Sequence, residues 1–287
     1  MNRLVLLFLP AIMVLCVSQT FSQVISQRPG TDSTRIVNLI HADKFGYQKV
    51  DSNEYQTLVG NVQLEQDGTY FSGDSVIIKN GKIVEAFGNV HINDNDSVHT
   101  YSQYLLYYVD PKLATLRKQV KLTNGSTTLT TEELRYDVNM RIGEYYNGGR
   151  LVNKGSVLTS REGTYYADLK DAYFKKEVKL KDPAYELEAD SLLYNSETEI
   201  TTFVAPTFIK DSAGRTIRTS DGYYDLKNKR AYFGKNPKIQ DGAVFITAVD
   251  IMSNDSTGIS VLTGNAVYTD TAQGVSILAG QIHTNRD

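Results

Sequence analysis

The chain has 287 residues, 41% of them apolar and 22% charged, a balance that excludes a mostly disordered protein. Its 30 Lys and Arg stand against 33 Asp and Glu, and a net charge of −3 excludes the strongly basic footprint of a nucleic-acid binder. Tyr is abundant at 19 residues and Trp is absent, which favours strands over helices.

The first predicted element is removable. Arg3 precedes an almost wholly apolar run from Leu4 to Val17, and Ser18 to Ser22 is small and polar apart from Phe21. That order predicts a secretory signal peptide over residues 1–22, cut near Ser22–Gln23, and the run is too short to span a membrane comfortably. Cys16 is the only cysteine and falls inside it; a lipid anchor there is disfavoured by the bulky Leu15. An exported chain without cysteine has no disulfide framework and relies on strand pairing and burial. Residues 23–35 read as a polar, flexible lead-in, and 36–287 as one elongated repeat domain.

Two markers recur through that domain with one period of about 29 residues, giving about eight repeats. The first is an acidic or polar residue followed by apolar and then aromatic residues at alternate positions. It reads Asp43-Lys44-Phe45-Gly46-Tyr47, Asp74-Ser75-Val76, Gln103-Tyr104-Leu105-Leu106-Tyr107 and Glu132-Glu133-Leu134-Arg135-Tyr136, with further copies from Glu162, Asp190, Asp221, Asp250 and a degenerate one at Gly280. The second is Gly60-Asn61-Val62-Gln63-Leu64, repeated as Gly88-Asn89-Val90-His91-Ile92 and Gly264-Asn265-Ala266-Val267-Tyr268. Eroded copies lie around Val120, Leu151, Val178, Thr207 and Pro237. Alternation of apolar and polar residues predicts strands with one buried face.

Asn80-Gly81, Asp110-Pro111, Asn124-Gly125, Lys154-Gly155, Asp182-Pro183, Asn195-Ser196 and Asp241-Gly242 are turn pairs between the markers. Each unit is therefore predicted as two antiparallel strands of about ten residues and two turns. Pro206 and Pro237 predict strand starts, bulges or edges. One unit cannot bury its own apolar face, so stacked units share a core.

The alternation of Ala42, Asp43, Phe45 and Tyr47 (and of Ala189, Asp190, Leu192 and Tyr194) with Gly-Asn-Val-x-apolar resembles the OstA-like repeat of LptA-type periplasmic lipopolysaccharide-transport proteins. The resemblance covers about residues 36–285. It implies an all-β, slightly twisted jellyroll of two antiparallel sheets opened into a V. It also implies a groove for lipid A acyl chains and end-to-end joining to other OstA-like or jellyroll domains, or to further copies of the chain. The expected role is a non-enzymatic lipopolysaccharide-binding bridge component of the periplasm, acting in outer-membrane biogenesis.

A carrier must replace the water around an acyl chain with apolar surface along a path, and repeated apolar positions form such rows. Candidate groove rows are Val62, Val90, Val120, Leu151 and Val178; Leu64, Ile92, Leu122 and Leu180; and Phe45, Val76, Leu105, Leu134 and Leu192. A sandwich without lipid needs the same pattern. The alternatives are therefore a protein-binding surface or scaffold repeat without lipid, and a β-helix polysaccharide enzyme. One Asp per repeat suits a structural role at a strand start better than paired catalytic carboxylates. His41, His91, His99 and His283 are scattered without metal-ligand spacing, and no P-loop, dinucleotide or nucleophile-elbow motif occurs. No cofactor and no metal is expected. Lys175-Lys176 reads as a solvated basic step.

Overall fold

The computed structural model describes residues 37–66, 68–94 and 98–285. The predicted signal peptide (1–22) and lead-in (23–35) lie outside the described residues. Every described element is a strand. Six long strands follow one another: Asn53–Gln66, Thr69–Lys79, Ile83–Asp94, Val98–Tyr108, Leu113–Asn124 and Thr127–Asp137. Each pairs antiparallel with the next, and every pair breaks register midway, between Val59 and Val62, Ser72 and Ser75, Phe87 and Val90, Tyr101 and Tyr104, and Arg117 and Val120.

That break is a bend. On one side of it the half-strands pair into sheet I, which holds Val62–Gln66, Thr69–Gly73 and Val90–Asp94. On the other they pair into sheet II, which holds Asn53–Val59, Ser75–Lys79 and Ile83–Phe87. The two sheets share a ridge of bends at one side and end in separate rows of hairpin turns at the other. Apolar residues from both sheets pack into one continuous core cluster.

The Gly-Asn of the second marker makes the bend. Gly60 and Asn61 have φ of 81° and 46°, and Gly88 and Asn89 have 69° and 45°. Two successive left-handed residues turn the strand, and Gly and Asn tolerate that conformation best. The Asp of the first marker clasps it from the neighbouring strand. Asn89 Nδ2 donates to Asp74 Oδ2 at 3.0 Å, and Asn61 Nδ2 to Asp43 Oδ2 at 3.3 Å. Eroded copies keep the geometry without the residues: Lys118-Gln119, Lys176-Glu177 and Lys235-Asn236 also have positive φ. Ion pairs replace the clasp there, Arg117 to Glu133 at 2.9 Å and Lys176 to Glu162 at 2.6 Å. Asp43, Asp74 and Glu162 thus have a structural partner at the bend.

From residue 142 on, most long strands divide at the bend. Ile142–Tyr145 joins sheet II and Gly149–Asn153 joins sheet I, and a similar division recurs through Asp250–Asn254. The expectation of two strands of about ten residues per unit therefore holds for the first repeats, and short segments replace it later. Pro206 and Pro237 each immediately precede a strand, Thr207–Asp211 and Lys238–Asp241.

Candidate functional site: the groove between the sheets

The register assembles the predicted rows. In sheet II, Phe45, Leu58, Val76, Ala86, Leu105, Leu116 and Leu134 are successive cross-strand partners. The row continues through Phe174 to Leu192. In sheet I, Leu64, Phe71, Ile92, Thr100, Leu122, Leu129, Leu151, Leu158 and Leu180 form the matching row. Val62, Val90, Val120 and Val178 sit beside the bends and are almost wholly buried. Leu151 belongs to the Leu122 row and not to theirs, because it lies 29 residues from both Leu122 and Leu180; Gly149, which faces Thr131, holds the position equivalent to the valines.

Leu64, Val76, Leu105, Leu122, Leu134, Leu180 and Leu192 are buried, while Ile92 and Leu151 are half-buried against the core. Phe45 differs. It lies in the row but at the end of the described stack, on Lys44–Val50, and is 56% exposed because among the described residues no strand pairs on its other side.

At the mouth, away from the bends, the two sheets line a chain of clefts. The first is about 190 Å³, with Phe71, Ile92 and Leu122 on the sheet I side and Tyr107, Leu116, Leu134 and Tyr136 on the other. Lys112, Arg141 and Asp94 stand at its rim. The groove then narrows to about 20 Å³ between Leu158, Leu180 and Tyr194. There Asn153 Nδ2 donates to Tyr194 Oη at 3.0 Å, and Lys154 pairs with Glu199 from the opposite sheet. Beyond it the space widens to about 700 Å³, walled by Ile209, Ile217, Phe203, Phe233 and Tyr224. Its rim is polar: Arg215, only 12% exposed, pairs with Asp211 at 2.9 Å and Asp255 at 3.7 Å.

A feature missing from the predicted rows lines this mouth. Tyr107, Tyr136, Tyr165, Tyr194 and Tyr224 share one register row of sheet II, alternating with Ala114, Gly143, Ala172 and Thr201. Each ring fills the space its small neighbour leaves. The hydroxyls reach polar partners: Tyr107 Oη donates to Gln66 Oε1 across the groove at 3.1 Å, and Tyr224 Oη to Asp255 at 2.9 Å. Burial raises the pKa of Tyr136 and Tyr194, and burial with the Asp255 charge raises that of Tyr224, so these phenols stay neutral. The signal was present in the sequence as a tyrosine and a small residue each recurring at the repeat period.

Two histidines that looked scattered meet on the outer face of sheet I. His91 Nε2 lies 3.1 Å from His99 Nδ1, and the His91 ring stacks on Tyr101 at 4.5 Å. Burial and then the neighbouring His99 lower the His91 pKa. Among the described residues no group of three or more His, Cys, Asp or Glu side chains converges as a metal site.

The fold and groove together define an all-β repeat protein with two bend-linked sheets and an apolar interior open at one side. The family described as OstA-like protein matches residues 34–190, more than half of the chain, and the chain belongs to that family. Among solved structures it is similar to LptH, the LptA homologous periplasmic component of the conserved lipopolysaccharide transport device from Pseudomonas aeruginosa. That match has 21% identity, 38% of this chain and 80% of that one covered, and a TM-score of 0.34. No curated protein matches this chain.

Proposed function

We propose that the chain is a periplasmic lipopolysaccharide carrier of the transport bridge, and that the inter-sheet groove shelters lipid A acyl chains. Family membership supports the setting. The observation that carries the reading is the first cleft, where Phe71, Ile92, Leu122, Leu116 and Leu134 turn apolar surface toward a mouth open to solvent. Each methylene moved from water into such surface gains about 0.8 kcal/mol, so ten methylenes offset about 8 kcal/mol of exposure. Val62, Leu64, Val76, Val90, Leu105 and Val120 form the apolar body around that surface, and Leu151, Val178, Leu180 and Leu192 continue it along the stack. The tyrosine row supplies hydroxyls at the boundary between acyl chain and head group.

End-to-end joining belongs to the same proposal. Lys44–Val50 and Val275–Asn285 each pair on one side only among the described residues, and Phe45, Tyr47 and Ile277 leave inner-face apolar surface exposed at the two ends. A head-to-tail contact there continues both sheets without closing.

The test is a photo-crosslinking amino acid placed in the groove and on the outer face in living cells. Ile92 and Leu122 positions are expected to capture lipopolysaccharide, and Gln63 and Thr115 positions are not. Capture from the outer positions alone, or of proteins alone from all four, overturns the carrier reading in favour of a scaffold.

A further inference from the structure

The outer face of sheet I carries a charge pattern unrelated to the groove. Lys121, Arg150 and Lys179 recur at 29-residue steps, the next step is Phe208, and Lys238 follows. All five belong to one register row, which runs Lys121, Thr130, Arg150, Thr159, Lys179, Glu188, Phe208, Arg218 and Lys238 across adjacent strands. The basic members are exposed. Alternate strands of a sheet are about 10 Å apart, so the row spans about 38 Å, with Lys121, Arg150 and Lys179 on every second strand and Arg218 and Lys238 on adjacent strands at its end.

Lys179 pairs with Glu188 at 3.3 Å, and Glu186 in the next row with Lys181 at 3.1 Å. Within these two rows those acidic residues stand against seven basic ones (Lys121, Arg150, Lys179, Lys181, Lys210, Arg218 and Lys238). Arg218 stacks over Phe208 at 4.7 Å and Lys121 over Tyr101 at 5.9 Å, which holds both cations in the row. Around Phe208 the face is concave, a groove of about 600 Å³ lined by Lys179, Arg218, Lys235 and Lys238 and, toward the bends, by Glu177, Glu188 and Asp190. This local excess of positive charge stands on a chain whose net charge is −3.

We infer that this row is a docking track for a linear polyanion, of the acidic polysaccharide class. Lys121, Arg150 and Lys179 on every second strand, with Thr130 and Thr159 hydroxyls between them, match a chain that repeats anionic and hydroxyl groups. The twist that accumulates from strand to strand turns the row around the stack. A flexible chain can follow that turn, whereas a flat anionic membrane meets only part of it.

The experiment titrates the full chain with size-graded oligogalacturonates, and separately with phosphatidylglycerol vesicles, over a range of salt. Binding to the oligogalacturonates is expected, tighter for longer chains and weaker as salt rises. A Lys121→Gln, Arg150→Gln, Arg218→Gln, Lys238→Gln variant is expected to lose at least about tenfold in affinity. Its salt slope should fall by about one for each removed charge. A control variant with Lys49, Lys82, Lys227 and Arg230 changed to Gln carries the same net charge and is expected to bind as the parent does. Circular dichroism checks that both variants keep their sheets. Equal losses in the two variants, binding to vesicles alone, or no salt-sensitive binding at all overturns the inference.

Discussion

At the residue scale, the bend rests on two side chains, Asp74 and Asn89, and on the one that Gly88 lacks. A Cβ built on Gly88 would lie 2.3 Å from Asp74 Oδ2, and φ there is +69°. Gly88→Ala therefore combines a clash with left-handed strain and is expected to cost about 1–3 kcal/mol in urea unfolding. Adding Asp74→Ala removes the clash but not the strain and leaves Asn89 Nδ2 without its acceptor. The double variant should therefore recover only part of the loss, and full recovery would show that the strain is negligible. These roles were half legible in sequence. Gly-Asn and Asp each recur visibly, but they sit 14–15 residues apart along the chain (Asp74 to Gly88 and Asn89), and only strand pairing shows that they touch.

At the element scale, a strand's burial depends on its place in the stack as well as on its own pattern. Leu105 and Phe45 occupy the same row, yet Leu105 is 1% exposed and Phe45 56%. Leu105→Ala opens a cavity in a packed interior and is expected to cost about 2–5 kcal/mol. Phe45→Ala is expected to stay within about 0.5 kcal/mol in dilute monomer, while weakening any end-to-end association measured by analytical ultracentrifugation. A large loss of monomer stability at Phe45 would mean that the open end is covered by the chain itself. The alternating pattern predicted the strands and most turns correctly. It did not predict their division after residue 142, where Tyr146–Gly148 leaves the ladder although the flanking residues still alternate.

At the scale of the whole molecule, the tyrosines couple fold to pH. Burial raises Tyr145 to about 12, against a small opposing effect of its hydrogen bond to Ser160, and raises Tyr136, Tyr194 and Tyr224 as well. The unfolded chain releases these protons near pH 10 and the folded chain holds them. Their contribution is thus complete below pH 10 and drains away as pH rises through the folded values. Alkaline titration followed at 295 nm and by circular dichroism is expected to show a tyrosine step above pH 10 that coincides with loss of sheet. Completion of all phenol ionisation with the sheets intact would contradict the packing of the groove wall. What the residues alone determined was the period, the strand type and the membership of the apolar rows, because alternation and turn chemistry act over a few neighbours. The three-dimensional arrangement decided where the chain bends between sheets, which rows line the clefts, where the groove narrows at Asn153–Tyr194, and how single cations from successive repeats align outside. Each of these depends on pairing between residues tens of positions apart, and a short-range pattern carries no record of that distance.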